Sequence, residues 1–151
     1  MVGMYRLDSD ILREIGALSR CIQTMNDHKL REYGLQKGQF IFITRICENE
    51  GISLIDLSNL LKVDKTTTTK AVQKLMKAGF VGKEKDRDDQ RIWRLYPMQK
   101  ALDLYSVIIE EENKNVRVCF SDMTAGEEKN VYTLVRKMRE SIEKEWGPSK
   151  N

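Results

Sequence analysis

The sequence predicts a mostly α-helical protein with one small β-hairpin, an α+β fold with helices on both sides of the hairpin. Three observations predict it. Apolar residues recur at three- and four-residue spacing over most of the 151 residues, and only two prolines interrupt them. Two short helical patterns, Ser53 to Leu61 and Asp64 to Ala78, are separated by Lys62 and Val63 alone. Two alternating segments, Phe80 to Lys85 and Arg91 to Tyr96, are joined by the wholly polar stretch D-R-D-D-Q.

Taken in order, Asp8 to Glu32 reads as a first helix. Ile11, Ile15, Leu18, Ile22 and Met25 form a narrow apolar seam at four-three-four-three spacing, and Gly34 ends it. Gln36 to Asn49 is a second helix, apolar over much of its circumference and therefore central; Gly51 ends it. Ser53, with Asp56 in the first turn, caps a third helix whose buried side is Leu54, Leu57, Leu60 and Leu61. Asp64 caps the next helix, and Gly79 stands where a left-handed residue would close it. Two helices joined by so tight a turn form a helix-turn-helix pattern, and the charged hairpin that follows is its wing. In the hairpin, Trp93 and Leu95 face one way and Ile92, Arg94 and Tyr96 the other; Pro97 stops the second strand. Met98 to Phe120 is a long helix, polar all round at E-E-E-N-K-N. Thr124 and Glu127 make a capping box for a last helix with Val131, Leu134, Val135, Met138 and Ile142 on one stripe, closed by Gly147 and Pro148.

The chain is organised around V-D-K-T-T-T-T-K-A-V-Q-K-L-M-K-A, Val63 to Ala78. On a helical wheel Thr68, Ala71, Val72, Leu75 and Met76 share one side. Thr66, Lys70, Lys74 and Lys77 share the other, flanked by Thr67 and Gln73, with no acid among them. Four consecutive threonines are poor helix formers, so something besides local stability favours them. Short hydroxyls beside lysines near a helix N-terminus suit phosphate oxygens and base edges; packing against a neighbour is the plainer explanation.

Charge distribution favours the first of these. The net charge is +3, but Lys62 to Arg94 alone holds ten cations and five anions, so a basic centre sits on acidic flanks. The N-terminus lacks a signal-peptide core, and the longest apolar run, Phe40 to Ile43, is too short for a membrane span, so a cytoplasmic location and no membrane partner are expected. Cys21, Cys47 and Cys119 lack any CxxC spacing and read as reduced thiols. One histidine, His28, no metal-ligand cluster and no Gly-rich phosphate loop argue against a metal site, a cofactor and an enzyme.

The stretch L-S-N-L-L-K-V-D-K-T-T-T-T-K-A-V-Q-K-L-M-K-A-G-F-V, followed by D-R-D-D-Q-R and later by S-D-M-T-A-G-E-E, resembles the MarR family of bacterial winged-helix regulators. The family pattern is a leucine-rich helix, then D-K-[ST]-T-x-T-[KR] with L-x-x-x-G, then D-x-R at the wing. The resemblance covers roughly Ile11 to Ile142. It implies a homodimer in which residues 1–34 and 98–151 form a helical dimerisation region and residues 35–97 a winged helix-turn-helix domain. The apolar stripes of the terminal helices agree, since a lone winged domain would not need them.

The resemblance further implies a transcriptional regulator of double-stranded DNA at a pseudo-palindromic operator, nucleoid-associated when bound. The second helix of the motif would enter the major groove with Lys65, Thr66, Thr67, Thr69, Lys70 and Lys74. At the wing Asp89 would orient Arg91 toward the minor groove, with Lys85 and Arg87 on phosphates. This chain departs from the pattern twice. The family's L-T-x-x-G after the hairpin is here Pro97, Met98 and Ala101, without the capping hydroxyl. The second arginine common at the wing is Gln90.

Relatives of this kind are commonly repressors released by small aromatic or phenolic acids. No ligand pocket is legible in the sequence: Arg20, His28 and Tyr33 are candidates that read more simply as surface or interface residues. Cys47 and Cys119 lie in apolar sequence surroundings that favour inert thiols, and Cys21 does not match the family's sensing position. A redox-responsive regulator and a winged-helix protein-docking module are the alternative readings.

Overall fold

The computed structural model describes residues 2–149. Six α-helices and three short strands run in the order α1 (Ile11–Leu30), α2 (Phe40–Glu48), β1 (Ile52–Ser53), α3 (Leu54–Leu61), α4 (Lys65–Lys77), β2 (Val81–Lys85), β3 (Trp93–Pro97), α5 (Gln99–Cys119) and α6 (Ala125–Ser149). The chain divides into two compact units, Met1–Phe40 and Ile41–Asn151.

In the first unit, α1 passes into a single 3-10 turn, Arg31–Tyr33, that ends at Gly34 with φ +86°. The second helix starts four residues later than the sequence pattern suggests. Gly38 holds φ +78° and its amide donates to the Asp27 carboxylate at 3.0 Å, which prevents the helix from beginning at Gln36.

The core of the second unit gathers α2, the helix-turn-helix, the sheet and the start of α5. Ile43, Ile46, Leu57, Leu75, Leu95 and Ile108 are fully buried in it. The sheet is antiparallel with order β1-β3-β2, in register Ile52↔Leu95 and Val81↔Pro97. The sequence reading missed β1, because two residues carry no period of their own. Leu60 is a correction: it is 48% exposed. Leu57 and Ser58 are buried, and Leu54 and Leu61 half-buried, at the i, i+3, i+4, i+7 positions of one face; Leu60 falls off it.

Two further features concern the later helices. Met98 caps α5 without a side-chain bond, as the missing hydroxyl implies. At α6 the capping box forms in both directions: the Glu127 amide donates to Thr124 Oγ1 at 3.1 Å, and the Thr124 amide to Glu127 Oε1 at 3.0 Å. Thr124→Ala should lower the unfolding free energy by about 1 kcal/mol, within the range of cap deletions, measured by urea denaturation at fixed protein concentration. Gly147 and Pro148 do not close α6, which reaches Ser149. Residues 1, 150 and 151 of the expected dimerisation region lie outside the described residues.

Candidate nucleic-acid interface

The turn between α3 and α4 is built by local bonds. Ser53 accepts from the Asp56 amide at 3.1 Å and opens α3. Ser58, buried, donates its hydroxyl to the Val63 carbonyl, while the Val63 amide returns to the Ser58 carbonyl at 3.1 Å. Lys62 closes α3 in the left-handed region, φ 58° and ψ 44°. Asp64 then caps α4, accepting from the Thr67 amide at 2.8 Å and the Thr67 hydroxyl at 2.7 Å. Those two bonds hold its carboxyl below the usual carboxylate range.

The four threonines divide their work. Thr68 is fully buried and donates to the Asp64 carbonyl at 2.9 Å. Thr67 spends its hydroxyl proton on Asp64, and Thr69 spends its own on the Lys65 carbonyl at 2.8 Å. Three of the four hydroxyl protons are therefore taken up by the first turns of α4 itself. Thr67 and Thr69 still present oxygen lone pairs and methyl groups, but as acceptors rather than donors. Thr66, Thr67, Lys70 and Lys74 are exposed on one face of α4; Lys65 is exposed in its first turn, off that face, and Thr69 is half-buried. At the far end Lys100 reaches the Ala78 carbonyl at 2.9 Å with its ammonium 4.3 Å from the Phe80 ring centre, placing a cation at the helix C-terminus.

The wing is organised by two carboxylates. Asp89 accepts Arg91 Nε and Nη2, each at 3.0 Å, in a bidentate pair, and also the Arg91 amide at 3.0 Å. The Arg91 side chain is nonetheless 89% exposed against 33% for Asp89, so the guanidinium is oriented and still open to a partner. Asp86 was not singled out by the sequence, yet it shapes the tip. Its carboxylate accepts the Asp88 and Asp89 amides at 3.1 and 3.0 Å and Arg94 Nε at 3.0 Å. Both carboxyls lie below their ordinary range. For Asp86 the Asp89 amide is the chief cause, and for Asp89 the Arg91 guanidinium. With depressed folded-state values, the wing bonds persist at neutral pH and are lost only as pH falls through those values.

Arg94 offered the one sequence signal for Asp86, since it alternates onto the face away from Trp93. Its register partner is Glu84, however, and nothing local says that it would choose Asp86. Lys85, an expected phosphate contact, sits with Nζ 5.3 Å from the Trp93 ring centre, and Lys83 lies closer at 4.2 Å. Arg87 is exposed at the tip. Three of the segment's acids, Asp64, Asp86 and Asp89, are thus engaged in its own geometry.

The remaining candidates are dispersed. In the first unit, Thr24, Asp27, His28 and Arg31 line a cleft of about 610 Å³; Arg20 and Tyr33 are not among its walls. Cys119 is exposed, contrary to its apolar sequence surroundings, because it lies at the last residue of α5 on an uncovered side. Cys21 is exposed too. Burial, then Glu48 and Glu50, push the Cys47 thiol up to about 11, which favours the protonated form at neutral pH. Among the described residues no His/Cys/Asp/Glu group could hold a metal ion, and no helix is long and apolar enough to cross a membrane.

A tight helix-turn-helix followed by an antiparallel hairpin with an oriented arginine defines a winged helix-turn-helix protein. The chain belongs to the MarR family of transcriptional regulators, whose family profile matches residues 35–93. It is 33% identical over 138 residues to the "Uncharacterized HTH-type transcriptional regulator YybA" of Bacillus subtilis (strain 168), covering 91% of this chain and 92% of that one. Among solved structures, a MarR protein from Peptoclostridium difficile is 54% identical with a TM-score of 0.91, covering 94% of this chain and 93% of that one. A MarR family regulator from Listeria monocytogenes, crystallised in complex with 26mer DNA, is 34% identical with a TM-score of 0.89, covering 91% and 92%. Membership in a family of regulators agrees with the expectation that the chain is not an enzyme.

Proposed function

We propose that this protein is a cytoplasmic, homodimeric repressor that binds a pseudo-palindromic operator and is released by a small-molecule effector. Helix α4 lies in the major groove, with Lys65, Thr66, Thr67, Thr69, Lys70 and Lys74 against the DNA. Arg91 enters the adjacent minor groove, while Lys85 and Arg87 meet phosphates. The observation that carries the reading is the bidentate Asp89–Arg91 pair with its exposed guanidinium. A pre-ordered arginine exploits the concentrated negative potential of a narrow groove at little entropic cost. The acid-free outer face of α4 and the DNA complex of the Listeria relative support it.

Residues 1–34 and 98–151 supply the dimer and 35–97 the DNA-binding domain. Two recognition helices then meet successive major-groove faces roughly 34–36 Å apart. An effector, an aromatic or phenolic acid by family analogy, acts only through its differential affinity for the DNA-competent and released states.

The experiment is a binding titration on fragments of the gene's own upstream region, with salt varied and random DNA as competitor. A fragment preferred by roughly a thousandfold or more, with log K falling steeply against log salt, is the expected result. Weak, equal binding to all DNA argues against it. On the winning fragment, Lys74→Ala should weaken specific and random DNA about equally and reduce the salt slope by about one, as loss of a phosphate contact does. A selective loss would make Lys74 a base reader.

A further inference from the structure

Lys62 occupies the left-handed region, the only non-glycine with positive φ among the described residues. That conformation is unfavourable for a residue with a Cβ, and glycine would serve the turn more easily. What a lysine adds is reach. Its ammonium lies 2.8 Å from Glu143 Oε1, 2.6 Å from the Asn59 carbonyl and 5.6 Å from the Trp146 ring centre. Glu143 and Trp146 stand three apart on α6, so they share a face of that helix. Glu143 also takes Arg139, one turn earlier, on the same carboxylate oxygen. The far end of the last helix is therefore tied to the turn of the helix-turn-helix, one residue before Val63 and two before the Asp64 cap.

From this geometry we infer that Lys62, Glu143 and Trp146 are positioning residues: a clamp through which α6 sets the placement of the recognition helix. The turn transmits position because it is stiff. Ser58 bonds Val63 in both directions, and Asp64 holds the first turn of α4. Exposed ion pairs add little to stability, so the clamp acts on geometry rather than on folding free energy. On the same helix, Leu134, Val135 and Ile142 are the exposed apolar side chains that a second copy would cover. In a dimer assembled on that stripe, the clamp fixes how far apart the two α4 helices stand, and hence the half-site spacing the protein accepts. This consequence rests on the operator-binding reading above.

The test uses the full-length protein with Glu143→Gln and Lys62→Gly. The second change removes the side chain at a backbone conformation that suits glycine, so a folding defect is not expected. Amide hydrogen exchange without DNA should quicken about fivefold or more across the turn and the first turn of α4 in both variants, with α2 and the sheet unchanged. Affinity for the operator should fall about tenfold, affinity for random DNA should stay within about twofold, and the penalty for one base pair inserted between half-sites should shrink. A general structural defect would not relax spacing while sparing random DNA.

Unchanged exchange in both variants overturns the clamp. Faster exchange with an unchanged spacing penalty overturns its role in DNA recognition. A wild-type protein that prefers no fragment overturns the regulator reading instead, and the exchange data then still decide whether the clamp exists.

Discussion

Arg91→Ala should weaken operator binding by more than tenfold while sedimentation still shows an intact dimer. The size follows from how the side chain is held. Asp89 fixes both ends of the guanidinium fork at 3.0 Å, and the Asp89 carboxylate also accepts the Arg91 amide, so the side chain leaves the wing in one direction. Its ordering cost is largely met before DNA arrives, and each charge it places in a narrow groove displaces counterions. Arg91→Lys keeps the charge but loses the fork, and should fall between wild type and alanine. Random DNA should lose less than the operator. The check is a titration at fixed salt on both DNAs; equal affinity for wild type and alanine variant would remove the minor-groove role.

Truncation before Thr124 should abolish dimerisation. Leu134 and Ile142 of α6 are 58% and 63% exposed, and Leu18 and Met25 of the α1 seam 51% and 46%. Stripes of this length, on helices at both ends of the chain, exceed the scattered apolar exposure normal for a monomer surface. A second copy covers them in the proposed assembly, and stable interfaces of that kind need large apolar contact. Deleting α6 removes one of the two stripes together with the anchor for Lys62. Analytical ultracentrifugation at micromolar concentration should show a monomer, and operator binding should drop with it, since one half-site then binds alone. A stable dimer without α6 would contradict this assembly.

The parts of this molecule legible in the sequence are those written in local chemistry. Asp64 and Ser53 cap their helices, Gly34 and Gly79 hold the left-handed positions, and Thr124 and Glu127 close their box, because each involves residues within a turn of each other. The Asp89–Arg91 pair is equally local, but the resemblance at D-x-R, not spacing, points to it. Helical period likewise marked Thr68, Val72 and Leu75 as the buried side of α4 and left the lysines outside. Leu60 follows the same period, which turns it toward solvent, 48% exposed, although leucines stand on either side of the helix.

What the sequence by itself determined is the order of elements, the winged helix-turn-helix and most of the basic face that defines its class. Only the tertiary structure decided the third strand, the partner of Arg94 and the tie from Lys62 to α6. Strand β1 exists because β3 offers it a ladder, Arg94 turns to Asp86 rather than to Glu84 opposite, and Lys62 meets a carboxylate near the other end of the chain. A helix period or a cap records forces between near neighbours, which composition and spacing preserve. Contacts between distant segments depend on where packing brings them together, and no local pattern carries that information.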